Sequence, residues 1–252
     1  MSRFLLLLLS SSVFGATLKK DKRIADGQPA GESAFPYLVS IRIDGQHECA
    51  GSILDATTIL TAAHCLFGFQ QMSMTVTAGS ITLDTGGDTY EVSVRRTHEF
   101  YDPYTTRGFK NDIGILKLKT AIKFSDKVQP IRYLAAGDVG VSVHCILPGW
   151  GITKEDGDRS NELRFVNLLT IPTETCSETW LASEYKFSID DRQLCTFTQD
   201  GQGACRGDSG GPLIVGTGLQ IGIASMALRC GIGPNVYTKV AYYRDWIERN
   251  RK

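Results

Sequence analysis

The sequence lacks any excess of charge: 27 Lys and Arg balance 27 Asp and Glu over 252 residues. A neutral chain offers no strong field to a phosphate backbone or an anionic bilayer, so neither nucleic acid nor a membrane is expected as a partner. It lacks a long apolar run as well. The stretch from Phe4 to Leu9 is only six residues, far short of the about 20 that cross a bilayer. There is no repeat of fixed period, no low-complexity tract and no Asn-x-Ser/Thr glycan acceptor. The cysteine spacing matches no common zinc ligand set.

What is present points outward from the cell. Arg3, the short apolar run and the small residues up to Gly15 and Ala16 are laid out as a signal peptide, residues 1–15. A short basic segment, 16–23, follows and reads as a propeptide, ending at Lys22-Arg23 just before Ile24-Ala25-Asp26-Gly27. Residues 24–252 then form the main unit, with an internal boundary expected near 125–135. In an oxidising secretory route seven cysteines imply disulfides, and an odd count leaves one thiol over.

Short β-rich stretches recur along the unit, at Tyr37–Ile43, Gly51–Leu60, Met74–Ala78, Tyr90–Val94, Ile113–Leu118, Val143–Leu147, Phe165–Ile171, Pro212–Val215 and Leu219–Ala224. Turn residues separate nearly all of them, which favours a β-barrel or sandwich. Only the end carries a helical period, with Val240, Tyr243, Trp246 and Ile247 on one face.

Three segments carry chemistry. Gly207-Asp208-Ser209-Gly210-Gly211-Pro212 sets a serine among glycines, where backbone N–H groups can turn inward unblocked. Thr61-Ala62-Ala63-His64-Cys65 sets a histidine after an apolar strand, and Asn111-Asp112-Ile113-Gly114-Ile115-Leu116 sets an acid at the mouth of another. Each alone reads more simply as a loop, a structural histidine and a solvated strand end. Together they supply a nucleophile, a base, a group to orient the base, and oxyanion donors.

From Ile24 through the C-terminal helix the chain resembles the chymotrypsin-like (trypsin-like) serine proteases, in particular invertebrate digestive chymotrypsins. The order His, Asp, Ser separates it from subtilisin-like and α/β-hydrolase enzymes. The resemblance implies an all-β fold of two packed antiparallel Greek-key β-barrels with a C-terminal α-helix. It further implies His64, Asp112 and Ser209 as a catalytic triad, and Gly207 and Ser209 as the oxyanion hole. Since His64 must be neutral to act, activity is expected to fall as pH drops through roughly 6 to 7. Cleavage after Arg23 by an activating trypsin-like protease would free the Ile24 amine to pair with Asp208.

By the same matching, Gly203 stands at the floor of the primary pocket where trypsin-like members place an aspartate. Ser225, Met226 and Ala227 form a wall and Asn235 lies near the floor. A buried Lys or Arg would there lack a countercharge, at a cost of several kcal/mol, so a chymotrypsin-like preference for Phe, Tyr, Leu or Met is expected. An elastase-like or collagenolytic preference stays open, as does an inactive homologue acting as a binding protein. Asp200 could act as a floor acid only if its loop shifted. The resemblance pairs Cys49 with Cys65, Cys176 with Cys195 and Cys205 with Cys230, and leaves Cys145 as a buried free thiol because Val215 occupies its usual partner position. Ser80 replaces a calcium-binding glutamate, so neither a metal nor any other cofactor is expected, even with Asp84 and Asp88 nearby. His47, His98 and His144 read as structural or exposed. The expected molecule is a secreted, extracellular monomer with no accessory domain, acting on proteins or peptides and open to protein inhibitors.

Overall fold

The computed structural model describes residues 27–104, 108–153 and 157–252. The expected signal and propeptide segments, with Arg23 and Ile24, lie outside the described residues. A short β1 (Gln28–Pro29) leads into the first barrel. That barrel comprises β2 (Leu38–Ile43), β3 (Gln46–Asp55), β4 (Thr58–Thr61), β5 (Met74–Ala78), β6 (Asp88–Thr97) and β7 (Gly114–Leu118), closed in the order β2-β3-β4-β7-β6-β5. The chain passes through β8 (Arg132–Tyr133) to a second barrel. It comprises β9 (His144–Gly149), β10 (Arg164–Ile171), β11 (Gln193–Thr196), β12 (Pro212–Val215), β13 (Leu219–Met226) and β14 (Asn235–Lys239). The order is β10-β11-β14-β13-β12-β9, and β9 pairs back on β10. All pairs within the barrels are antiparallel, and α2 (Arg244–Asn250) ends the chain after a 3-10 turn at Val240–Tyr243. This is the all-β architecture the sequence led us to expect.

β-Branched and aliphatic side chains close each barrel from within. Val39, Ile41, Ile53, Ile59, Ile115 and Leu116 are fully buried in the first; Leu147, Val166, Leu168, Leu213, Ile221 and Tyr237 fill the second. Each such aliphatic side chain contributes about 1.5–3 kcal/mol by leaving water. The barrels share apolar and polar contacts: Ile214 and Ile223 of the second join the core of the first. Ser52 Oγ donates to Gln220 Oε1 across the seam at 2.8 Å.

The structure departs from the sequence reading where local signals were faint. Gly51–Leu60 is not one strand but the end of β3, a turn and the start of β4. The turn forms because Asp55 Oδ1 accepts the Thr57 N–H at 3.0 Å, a side chain standing in for a backbone partner. An unforeseen helix, α1 (Thr173–Ala182), buries only Cys176 and Trp180, so it shows no apolar stripe. Strands β11 and β14 were also missed; each is short and buried at nearly every position, which erases alternation. At the C-terminus Val240, Tyr243, Trp246 and Ile247 are all buried, as their spacing requires.

Disulfides join Cys49 to Cys65, Cys176 to Cys195 and Cys205 to Cys230. Cys145 is free and buried opposite Val215 on β12. Burial pushes its thiol up to about 12, so it carries no thiolate at neutral pH.

Candidate active site

His64 sits in the turn after β4, tied to β3 through the Cys49–Cys65 bridge. Asp112, fully buried, lies just ahead of β7. The two meet directly: His64 Nδ1 donates to Asp112 Oδ2 at 2.8 Å, and the His64 backbone N–H donates to Oδ1 at 2.9 Å. Ser225 Oγ donates a third bond to Oδ2 at 2.6 Å. A carboxylate only accepts, so the imidazole proton is assigned to Nδ1 and Nε2 is left bare as a base. Burial pulls the imidazole pKa down, but the charge and hydrogen bond of Asp112, with a smaller pull from Glu48, outweigh it and hold His64 above its ordinary 6.5.

Ser209 approaches from the second barrel. Its carbonyl accepts the Ala50 N–H of β3 at 2.7 Å. Neighbouring Gly210 has φ of 77° and packs so closely on Thr61 and Ala62 that a Cβ there would fall 2.1 Å from Thr61 Oγ1. Only glycine allows that approach, which brings the serine loop onto the segment ending at His64. No hydrogen bond joins Ser209 Oγ to His64 Nε2, which lies 3.7 Å from Cys65 Sγ; such bonds often tighten only when substrate binds.

The serine loop spends its N–H groups selectively. Asp208 N bonds Cys205 O, Gly210 N bonds Ala224 O and Gly211 N bonds Asp208 O. Among the described residues the N–H groups of Gly207 and Ser209 have no acceptor. The carbonyls of their own peptide units are turned away, with Arg206 O taking the Ile152 N–H and Asp208 O the Gly211 N–H. In a trans peptide the N–H points opposite to the carbonyl, so both donors are left over.

Asp208 is fully buried, its Oδ1 accepting from Gly151 N at 2.8 Å and its Oδ2 from Cys205 N at 3.0 Å. Burial pushes its carboxyl up to about 6, against the pull of those two bonds. No cation pairs with it among the described residues. His47, read from sequence as structural or exposed, is buried beside this loop. Ser40 Oγ lies 2.9 Å from its Nδ1, and its Nε2 lies 2.9 Å from Gly207 O. Burial lowers its imidazole pKa to about 4, so neutral His47 props the Gly207 carbonyl. No local pattern in the sequence marks it.

A cavity of about 230 Å³ opens beside Ser209, with Ser225, Met226 and Ala227 on one wall and Tyr185, Arg206 and Arg229 around it. Gly203 and Asn235, expected at the floor, are buried behind this lining. Asn235 Oδ1 accepts the Ala204 N–H at 2.9 Å and lies 2.3 Å from where a Cβ on Gly203 would stand, so its amide fills the floor space. Asp200 is exposed and accepts the Gly233 N–H, leaving no carboxylate on the cavity wall among the described residues. Phe109, also unforeseen, stacks on His64 at a ring separation of 6.1 Å. The donors of Cys49, His64 and Cys65 lie within 4.8 Å of one another, but both sulfurs are spent in a disulfide and offer no thiolate to a metal.

The chain matches the Trypsin family over residues 24–247. Chymotrypsin-2 of Vespa crabro is 36% identical over 230 residues, spanning 90% of this chain and 100% of that protein. Trypsin delta of Drosophila erecta is 33% identical over 261 residues, spanning 99% and 100%. Among solved structures, human heparin binding protein superposes with a TM-score of 0.77 at 30% identity, over 88% of this chain and 94% of that one. Neuropsin, a serine protease of mouse brain, gives 0.81 at 25% identity over 90% and 99%. The chain belongs to the trypsin family of serine proteases.

Proposed function

We propose that the protein is a secreted serine endopeptidase, made as a precursor activated by cleavage after Arg23, with a chymotrypsin-like preference. Ser209 Oγ attacks the scissile carbonyl carbon while its proton passes to His64 Nε2. The oxyanion so formed takes the N–H groups of Gly207 and Ser209. His64 then gives its proton to the leaving amine as the C–N bond breaks, and water repeats the sequence on the acyl ester. Asp112 stabilises the imidazolium between these transfers. The observation that carries this reading is the pair of unclaimed N–H groups beside Ser209, since each oxyanion donor is worth about 10²–10³ in kcat. Trypsin treatment of the precursor followed by a chromogenic peptide assay tests it. Hydrolysis is the expected result, and a processed chain with no turnover would favour a binding protein instead.

Specificity follows from the charge around the cavity. Among the described residues a substrate Lys or Arg would meet Arg206 and Arg229 and no carboxylate, whereas an aromatic or large aliphatic side chain loses only water. A peptide library should therefore be cut after Phe, Tyr, Leu or Met. Gly203→Asp alone should not convert the enzyme to cleavage after Lys or Arg, because the new side chain collides with Asn235. Overpacking of that kind costs about 1–3 kcal/mol of stability, so the single variant should also melt at a lower temperature. The double change Gly203→Asp with Asn235→Gly should gain cleavage after Lys and Arg. Efficient cleavage there by the single variant would contradict this account of the floor.

A further inference from the structure

Lys110 lies two residues ahead of Asp112 and is only 8% exposed, which is rare for a lysine. Its ammonium crosses from the first barrel into the second. Nζ donates to Ser188 O at 2.6 Å and Gln193 Oε1 at 2.9 Å, and pairs with Asp190 Oδ2 at 2.9 Å. Asp190 does not need it for neutrality, since Arg192 already grips both carboxylate oxygens through Nε and a terminal nitrogen. The charged groups that act on Lys110 are Asp190, Arg192 and Asp191. Burying an ammonium is costly, and well-packed apolar groups often replace a buried ion pair without loss of stability. A buried ion at this place is therefore better explained by position than by stability.

The second barrel holds the whole segment leading to the triad acid. Gln193 of β11 accepts from Lys110 and also donates through Nε2 to Gly108 O at 3.2 Å. Its cross-strand partner on β14, Thr238, donates to Asp112 O at 2.6 Å. Ser225 of the adjacent β13 bonds the Asp112 carboxylate. Residues 108–112 thus leave the first barrel, dock on three neighbouring strands of the second, and carry both Phe109, stacked on His64, and Asp112.

We propose that Lys110 is a positioning residue whose ammonium pins residues 108–112 to the second barrel and so fixes Asp112 and Phe109 against His64. The proposal rests on the protease reading above. Its test is Lys110→Met in the full, trypsin-processed chain, with Asp190→Asn as a milder companion whose side chain is part-exposed. With a short chromogenic substrate, Lys110→Met should lower kcat about 10- to 100-fold, the scale of a displacement of about 1 Å at a reacting group, with KM nearly unchanged. The acid limb of kcat/KM should move to lower pH as His64 loses its fixed partner, and the His64 Nδ1–H proton resonance should titrate at correspondingly lower pH. Asp190→Asn should shift all three in the same direction by less. A lowered Tm with wild-type kcat, pH midpoint and resonance in both variants would overturn the proposal. If Lys110→Met does not fold, unchanged readouts in Asp190→Asn overturn it alone. An inactive wild-type protein would count against the protease reading, while the resonance would still decide the role of Lys110.

Discussion

Asp112→Asn is expected to slow peptide hydrolysis by the processed protein about 10⁴-fold, the loss known for that exchange in a related enzyme of this family, and His64→Ala to slow it further. Asparagine keeps the shape of the acid but offers an N–H where His64 needs an acceptor. The imidazole then turns or takes its proton on Nε2, and can no longer receive one from Ser209. The same contact sets the pH dependence. In the native site Asp112 holds His64 above 6.5 despite burial, and only neutral His64 acts as base. Activity should therefore fall as pH drops through a midpoint above 6.5. In Asp112→Asn the larger attraction is gone and only that of Glu48 is left against burial, so residual activity should persist to lower pH. Steady-state kinetics from pH 5 to 9 on both proteins check the pair of expectations, and a profile unchanged by the substitution would contradict the role given to Asp112.

The second large effect concerns activation. Arg23→Gln should leave a precursor that trypsin cannot activate at this junction, with activity about 10²–10⁴-fold below the processed wild type, the scale of a lost buried charge pair of about 3–5 kcal/mol. The reason lies in Asp208, which is buried, bonded among the described residues only through two backbone N–H groups, and pushed up to about 6. A carboxyl whose folded pKa exceeds its ordinary 3.8 contributes stability that is full below that value and lost as pH rises through about 6. The loss at neutral pH is roughly 3 kcal/mol. On the proposed activation, the freed Ile24 amine would supply the cation that charged Asp208 lacks among the described residues. Relative to an Asp208→Asn precursor, the uncut wild type should lose Tm between pH 4 and 7. Cleavage should reverse that loss and switch on turnover together. Full activity of Arg23→Gln without cleavage would sink the switch.

Much of this was legible in the sequence because the chemistry is concentrated in three short segments, and glycine marks where backbones must touch. Gly210 shows why: any side chain there would strike Thr61. The barrels were legible because turn residues punctuate the strands, but β11 and β14 lacked the alternation that reveals a half-exposed strand. His47, Phe109 and Lys110 escaped because their roles arise only when distant segments meet. Lys110 and Gln193, for instance, are 83 residues apart along the chain. The sequence reading put Gly203 and Asn235 at the pocket floor, but nothing local says that Asn235 Oδ1 folds over Gly203.

The most direct test of the triad is covalent. Processed protein exposed to a serine-directed phosphonylating reagent should carry one adduct, on Ser209 Oγ, found by peptide mass spectrometry, and the same treatment of His64→Ala should label it far more slowly. A processed wild-type chain whose Ser209 stays unmodified would contradict the account.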